Sequence, residues 1–222
     1  MLTRTDRASW LEREGHIYEL FDFVPGEPYD GSLDSTADAG RALGFFHRLV
    51  GNFVHRRYQP KWGTYHAAGS GLEPHFDQII QKIPTPEVAQ LVASLRAAYA
   101  DAAAHAEEAG FATWPSQTIH GDWHPGNMLF RNTRVVAVID YDTARLAPRV
   151  IDIANGALQF SISMQPGLDP AAWPVPLDEG RFKRFCRGYE TVPGQVISTG
   201  ELAAMPWLMI EALFFGIISK LN

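Results

Sequence analysis

Cysteine is almost absent from this 222-residue chain. Cys186 stands alone, which excludes a disulfide framework and a cysteine-built zinc site. Lysine is scarce: Lys61, Lys82, Lys183 and Lys220 are all there are. All 8 histidines lie at or before position 124, so nothing downstream can complete a histidine-rich metal site. There is no basic patch and no interleaving of basic with aromatic residues. With a net charge of −6, nucleic acid is not an expected partner. Long apolar runs are missing too. The most apolar stretch, residues 206–218, is interrupted by Glu211 and is too short to span a bilayer. The N-terminus, Met1-Leu-Thr-Arg-Thr-Asp-Arg7, has no apolar signal core. No membrane association and a cytoplasmic location are therefore expected. Internal repeats and low-complexity tracts are absent.

What is present suits a packed globular chain. Hydrophobic residues make up 46% and aromatics 12%, enough to fill a sizeable core. The length fits one large domain or one and a half small ones. Residues 10–24 read as a hairpin around a Glu-Arg-Glu-Gly turn, with the returning strand partly buried. Residues 35–50 read as a helix in which Ala39, Leu43, Phe46 and Val50 recur at helical spacing, and Ser35 with Asp38 resembles a capping box. His47 flanks that apolar face and reads as a core or helix-surface residue, not a ligand. Residues 51–85 predict irregular structure with a short helix over 76–81. Gly69-Ser-Gly71 is a poor phosphate-loop candidate. Residues 86–109 form the clearest helix: Pro86 suits its first turn, Val88, Leu91, Val92, Leu95 and Tyr99 make a core stripe, and Gly110 stops it. Further helices are expected over 150–163, 179–190 and 201–221, the last broken or started by Pro206. Residues 164–178, with four prolines, read as a loop.

The chemistry concentrates in Thr118-Ile-His-Gly-Asp-Trp-His-Pro-Gly-Asn-Met-Leu-Phe130 and the Val135-Val-Ala-Val-Ile-Asp-Tyr-Asp142 that follows. Residues 117–119 read as a strand, 128–130 as another, 131–134 as a hairpin turn, and 135–139 as a buried strand that delivers Asp140 to its end. Strand ends project functional groups from a rigid base, so the loop can hold Asp122, Asn127 and Asp140 around one point. These residue types are what phosphoryl transfer needs. Asp122 would accept the proton of an attacking hydroxyl, and Asn127 and Asp140 would offer hard oxygen ligands to Mg²⁺. His120 suits loop support better than acid–base work. Any one of these residues alone would read as an ordinary turn residue. The joint pattern carries the argument.

The segment resembles the catalytic core of the aminoglycoside phosphotransferase and choline/homoserine kinase-like family, distant relatives of protein kinases. The matching blocks are His120-Gly-Asp122-Trp-His124-Pro-Gly-Asn127, Ile139-Asp140-Tyr-Asp-Thr-Ala144 and Asp152-Ile-Ala154, in family order and spacing. The resemblance implies an α+β, protein-kinase-like fold: a mostly helical large lobe with a catalytic β-hairpin, plus a remnant hairpin and hinge of the small lobe. It implies a remnant over residues 1–26 and the helical lobe over 27–222. It implies ATP and Mg²⁺ as cofactors and a small hydroxyl-bearing acceptor, such as an aminoglycoside, homoserine or a choline-like molecule. Asp122 becomes the catalytic base, Asn127 and Asp140 the metal ligands, and Asp142 an outer metal contact. His120 and His124 support the loop and Asp152 braces it. Tyr18-Glu-Leu-Phe-Asp-Phe-Val-Pro-Gly26 resembles the hinge, where the Asp22 carbonyl and Val24 amide would face adenine, with Leu129 and Ile139 as the opposite apolar wall.

The resemblance covers roughly residues 10–215 and leaves out most of the small lobe. No lysine precedes the hinge, and losing one such preorganised donor can cost about 3 kcal/mol, or 10²–10³ in rate. The expectation is a fragment or crippled form, with an exposed strand edge that is a self-association surface. Two alternatives follow. One is a catalytically silent nucleotide-binding or interaction module of the same fold. The other is a metal-dependent hydrolase built on His120, Asp122 and His124.

Overall fold

The computed structural model describes residues 9–53, 69–162 and 177–218. Among the described residues, six α-helices and three two-stranded antiparallel sheets make an α+β fold. In chain order the elements are β1 (Trp10–Arg13), β2 (His16–Glu19), α1 (Leu33–Val50), α2 (Gly69–Lys82), α3 (Pro86–Glu108), β3 (Ser116–Ile119), β4 (Met128–Arg131), β5 (Arg134–Val138), β6 (Arg145–Pro148), α4 (Val150–Ser161), α5 (Glu179–Glu190) and α6 (Thr199–Ile218). Among the described residues, no helix is long and apolar enough to cross a membrane.

The main core lies where α1, α4, α5 and α6 meet beneath the loop between β3 and β4. Leu43, Trp123, Ile153, Phe160, Phe185, Tyr189 and Met205 are all buried there. α4 is buried almost throughout, and its polar residues Asp152, Asn155 and Ser161 are buried with the apolar ones. A second cluster joins α2, α3 and α6 through Leu72, Phe76, Val92, Tyr99 and Phe214. α1 and α5 cross with backbone touching backbone. A Cβ on Gly40 would sit 2.0 Å from the Phe185 carbonyl oxygen, and one on Gly188 would sit 2.0 Å from that of Ala37.

Several sequence expectations change here. The returning strand of the first hairpin is not partly buried: every residue of β1 and β2 is exposed. The register pairs Leu11 with Tyr18 and Trp10 with Glu19, so each face mixes apolar and charged groups. The cap of α1 is Ser32, not Ser35: the Ser32 hydroxyl accepts the Ser35 amide at 3.1 Å. The helix near residues 76–81 is longer and begins at Gly69, with Pro74 inside it. The α3 stripe runs through Val92, Tyr99, Ala102 and Ala106, and Leu91 points outward, 58% exposed. Pro86 takes the first turn, as the sequence indicates, and Thr85 before it supplies the cap. Pro206 neither starts nor breaks α6. It sits on an exposed face, where the carbonyl left without an amide partner can be met by water. Strand β6 has no counterpart in the sequence reading. It pairs with β3 across residues 116–119 and 145–148. The expected loop over 164–178 falls almost wholly outside the described residues.

Candidate active site

The β3–β4 loop is built on a buried carboxylate. Asp152, in the first turn of α4, accepts the His120 amide on Oδ2 and the Gly121 amide on Oδ1, both at 2.8 Å. Its Oδ2 also lies 3.0 Å from Nε2 of His47 on α1. His47 Nδ1 in turn lies 3.0 Å from the Tyr189 hydroxyl on α5. Burial pushes the Asp152 carboxyl up. The hydrogen bond from His47 and the His120 amide outweigh it and hold the group below its usual range. Three helices therefore converge on the two amides that open the loop. Gly121 turns the chain there with φ of 84°, and a Cβ would stand 2.2 Å from Arg145 Nη1 on β6. The missed strand is thus what closes the loop from behind.

His120 joins the loop to the second strand. It is fully buried, its Nδ1 accepts the Asp122 amide at 3.3 Å, and its Nε2 donates to the Ile139 carbonyl at 3.1 Å. Both ring nitrogens are occupied, so His120 has no lone pair for a metal. The Ile139 amide donates to the Asn127 carbonyl at 3.0 Å, a second tie between the loop and the residue before Asp140. Asp140 then adopts φ of 67°, a left-handed conformation that costs a non-glycine residue free energy and clusters at functional positions.

Asn127 meets Asp122 on this frame, and Asp140 meets Asp142. Asn127 is buried, and its Nδ2 donates to both the backbone carbonyl and Oδ2 of Asp122, each at 3.0 Å. That orients the amide and leaves Oδ1 facing away from Asp122. His124 Nε2 lies 3.2 Å from Asp122 Oδ2. Burial raises the Asp122 carboxyl, but the hydrogen bonds from His124 and Asn127 hold it below its ordinary value. Asp142 is raised by a side-chain hydrogen bond with Asp140, and the charges of Asp140 and Asp122 add to burial in the same direction. The carboxylates are thus close enough to repel, the condition a divalent cation would relieve.

Beside the loop, Glu27 pairs with Phe130 through two backbone hydrogen bonds of 2.7 and 2.8 Å, tying the chain after the hinge-like segment to β4. Gly26 rests on Leu129, where a Cβ would come within 2.8 Å of the Leu129 Cβ. Asp22 is exposed and Val24 half-buried just before it. Leu129 is half-buried and Ile139 is 47% exposed. Among the described residues, no three His, Cys, Asp or Glu side chains converge as a metal cluster. With both ring nitrogens of His120 engaged, that residue offers no lone pair to the metal of a hydrolase built on His120, Asp122 and His124.

Two residues that shape this site were not singled out from the sequence. In sequence, His47 reads as a core or helix-surface residue, and its bond to Asp152 spans 105 positions, so no local pattern carries it. In sequence, Asp38 reads as part of a capping box. Its buried carboxylate instead accepts the Val135 amide at 2.7 Å and Arg134 Nη1 at 2.8 Å, pinning β5 to α1.

A helical lobe that holds an Asp–Asn–Asp loop on a buried aspartate defines a kinase-like class of fold and site. The chain belongs to the phosphotransferase enzyme family, whose sequence model matches residues 9–199. Among curated proteins, none matches the chain in sequence. Solved structures do. An aminoglycoside phosphotransferase from Alicyclobacillus acidocaldarius is 18% identical with a TM-score of 0.60, the match covering 99% of this chain and 72% of that one. Amicoumacin kinase, in complex with AMP-PNP, Ca²⁺ and Ami, is 16% identical with a TM-score of 0.62, covering 98% of this chain and 63% of that one. Ethanolamine kinase from Plasmodium vivax is 13% identical with a TM-score of 0.60, covering 95% and 60%. The chain therefore spans less than two thirds of the length of the latter two. These likenesses establish the protein-kinase-like fold.

Proposed function

We propose that this chain is a cytoplasmic small-molecule phosphotransferase that moves the γ-phosphoryl group of ATP to a hydroxyl of an acceptor. The observation that carries the reading is the Asn127 amide. Its nitrogen is spent on Asp122, which leaves its oxygen for another partner. An amide oxygen and a carboxylate are hard ligands that fit Mg²⁺, and the crowding of Asp140 with Asp142 favours a cation between them and the phosphates. Asn127 and Asp140 would hold that ion, which would neutralise charge on the phosphates. Asp122 would orient the acceptor hydroxyl and take its proton. Residues 1–26 read as the remnant of a nucleotide-binding lobe and 27–222 as the helical lobe. The Asp22 carbonyl and Val24 amide then face adenine against Leu129 and Ile139. Structural neighbours named for aminoglycoside, amicoumacin and ethanolamine support a small hydroxyl-bearing acceptor.

The test is calorimetric titration of Mg²⁺–ATP into the 222-residue chain, followed by turnover on a panel of aminoglycosides, amino alcohols and homoserine. Asp140→Ala is expected to abolish metal-dependent nucleotide binding. Asp122→Asn is expected to leave binding in place and lower kcat by about 10²–10⁴, the usual worth of a positioned base. Binding without turnover of any acceptor would instead assign a catalytically silent nucleotide-binding module. Absence of both from a folded sample would sink the reading.

A further inference from the structure

Resting on the assignment of Asp122 as the base, we infer that His124 is a positioning residue for that carboxylate. It is a neutral imidazole with its one proton on Nε2, donated to Asp122 Oδ2, and the Gly126 backbone amide sets that tautomer. The argument begins at Nδ1. The Gly126 amide donates to it at 3.0 Å, and an amide nitrogen can only donate, so Nδ1 presents a lone pair. The ring proton of the neutral side chain is then on Nε2, which stands 3.2 Å from Asp122 Oδ2. Asn127 Nδ2 reaches the same oxygen at 3.0 Å. Oδ2 is therefore filled by two donors, while among the described residues no hydrogen bond reaches Oδ1. The two oxygens of the base become inequivalent: Oδ2 is anchored, and Oδ1 is left for the acceptor hydroxyl.

Residue 126 shows that the arrangement is built around the ring. A Cβ there would lie 2.7 Å from His124 Cε1 and 3.0 Å from Nδ1. The turn over Pro125–Asn127 is an ordinary right-handed one, and Gly126 has no positive φ. Glycine is thus needed here for the space the imidazole occupies. The consequence for chemistry is direct. With Nδ1 engaged and Nε2 already protonated, His124 cannot take the proton of the incoming hydroxyl. That proton has one destination, Asp122 Oδ1.

Two substitutions separate the two halves of the device. In His124→Asn the amide oxygen can replace Nδ1 as acceptor for Gly126, but no donor reaches Asp122. In His124→Gln the amide nitrogen can reach the Nε2 position. The first readout is ¹⁵N NMR of the histidine rings of the full chain near neutral pH. It is expected to show His124 with its proton on Nε2, and Gly126→Ala is expected to disturb that tautomer. The second is steady-state turnover. His124→Asn is expected to lower kcat about tenfold or more with the KM for nucleotide unchanged, and His124→Gln to restore most of it. A proton on Nδ1 or on both nitrogens overturns the inference whatever the chain turns over, as does equal turnover by wild type and His124→Asn. An Nε2 proton in a chain that phosphorylates nothing defeats the functional reading and leaves the positioning geometry standing.

Discussion

Asp152 shows how much one side chain can organise. It is fully buried and ionised, and it accepts two backbone amides and an imidazole. Removing the charge leaves donors facing an amide that cannot satisfy them all. Breaking such a buried arrangement costs about 3–5 kcal/mol. Asp152→Asn is therefore expected to lower the unfolding free energy by roughly 3 kcal/mol at neutral pH, measured by urea titration. The pH dependence follows from the sign of the shift. The folded carboxyl is depressed below its unfolded value, so its contribution is complete above about pH 4 and lost as pH falls through the folded pKa. The gap between wild type and Asp152→Asn should be constant from neutral down to mild acid and close below that. A gap independent of pH into the acid range would show that the carboxylate is not the stabilising form. The sequence shows Asp152 as a member of a spaced motif. It does not show His47 as its partner, because the bond links α1 to α4 and depends on how those helices pack.

At the scale of elements, the α1–α5 crossing is the tightest joint of the fold. Gly40 and Gly188 each bring the opposing helix within 2.0 Å of where a Cβ would be, and the obstacle is a carbonyl oxygen that no rotamer change can move. Gly188→Ala should therefore force the helices apart. A glycine-to-alanine change in a helix ordinarily gains up to about 1 kcal/mol. Here overpacking should win and destabilise by a net 1–3 kcal/mol or so, read as a lower urea midpoint with little change in slope. A raised midpoint would mean the helices part at no cost. This joint also marks where sequence reading stops. Helical periodicity located α1, α3 and α5, and the β4–β5 hairpin was legible because its turn is four polar residues between two apolar runs. The same patterns could not reveal β6, whose residues 145–148 alternate buried and exposed over too short a run. Nor could they reveal that two ordinary-looking glycines set a helix crossing, since the reason lies on the other helix.

For the whole molecule, the feature with the largest consequence is the first hairpin and the segment after it. Trp10, Leu11, Ile17, Tyr18, Leu20, Phe21 and Phe23 are all exposed, Ile17 at 69% and Phe23 at 89%. The register puts apolar groups on both faces of β1–β2. A two-stranded ribbon also presents open backbone edges, which pair readily with another strand. We therefore expect the chain to self-associate, most simply by edge pairing of one hairpin with that of a second copy. Sedimentation velocity over a concentration series should show the average mass rising with concentration. Covering a large apolar side chain contributes about 1.5–3 kcal/mol, so Ile17→Lys with Phe23→Asp should weaken association at least tenfold. Both residues lie on the exposed ribbon or just beyond it, away from Asp152 and the helix joint. The double variant should therefore keep the wild-type urea midpoint while its association falls. An unchanged mass distribution in the variant would place the contact elsewhere. A strictly monomeric wild type would mean that the exposed ribbon is held apart by its charged neighbours, Glu12, Arg13 and Glu19.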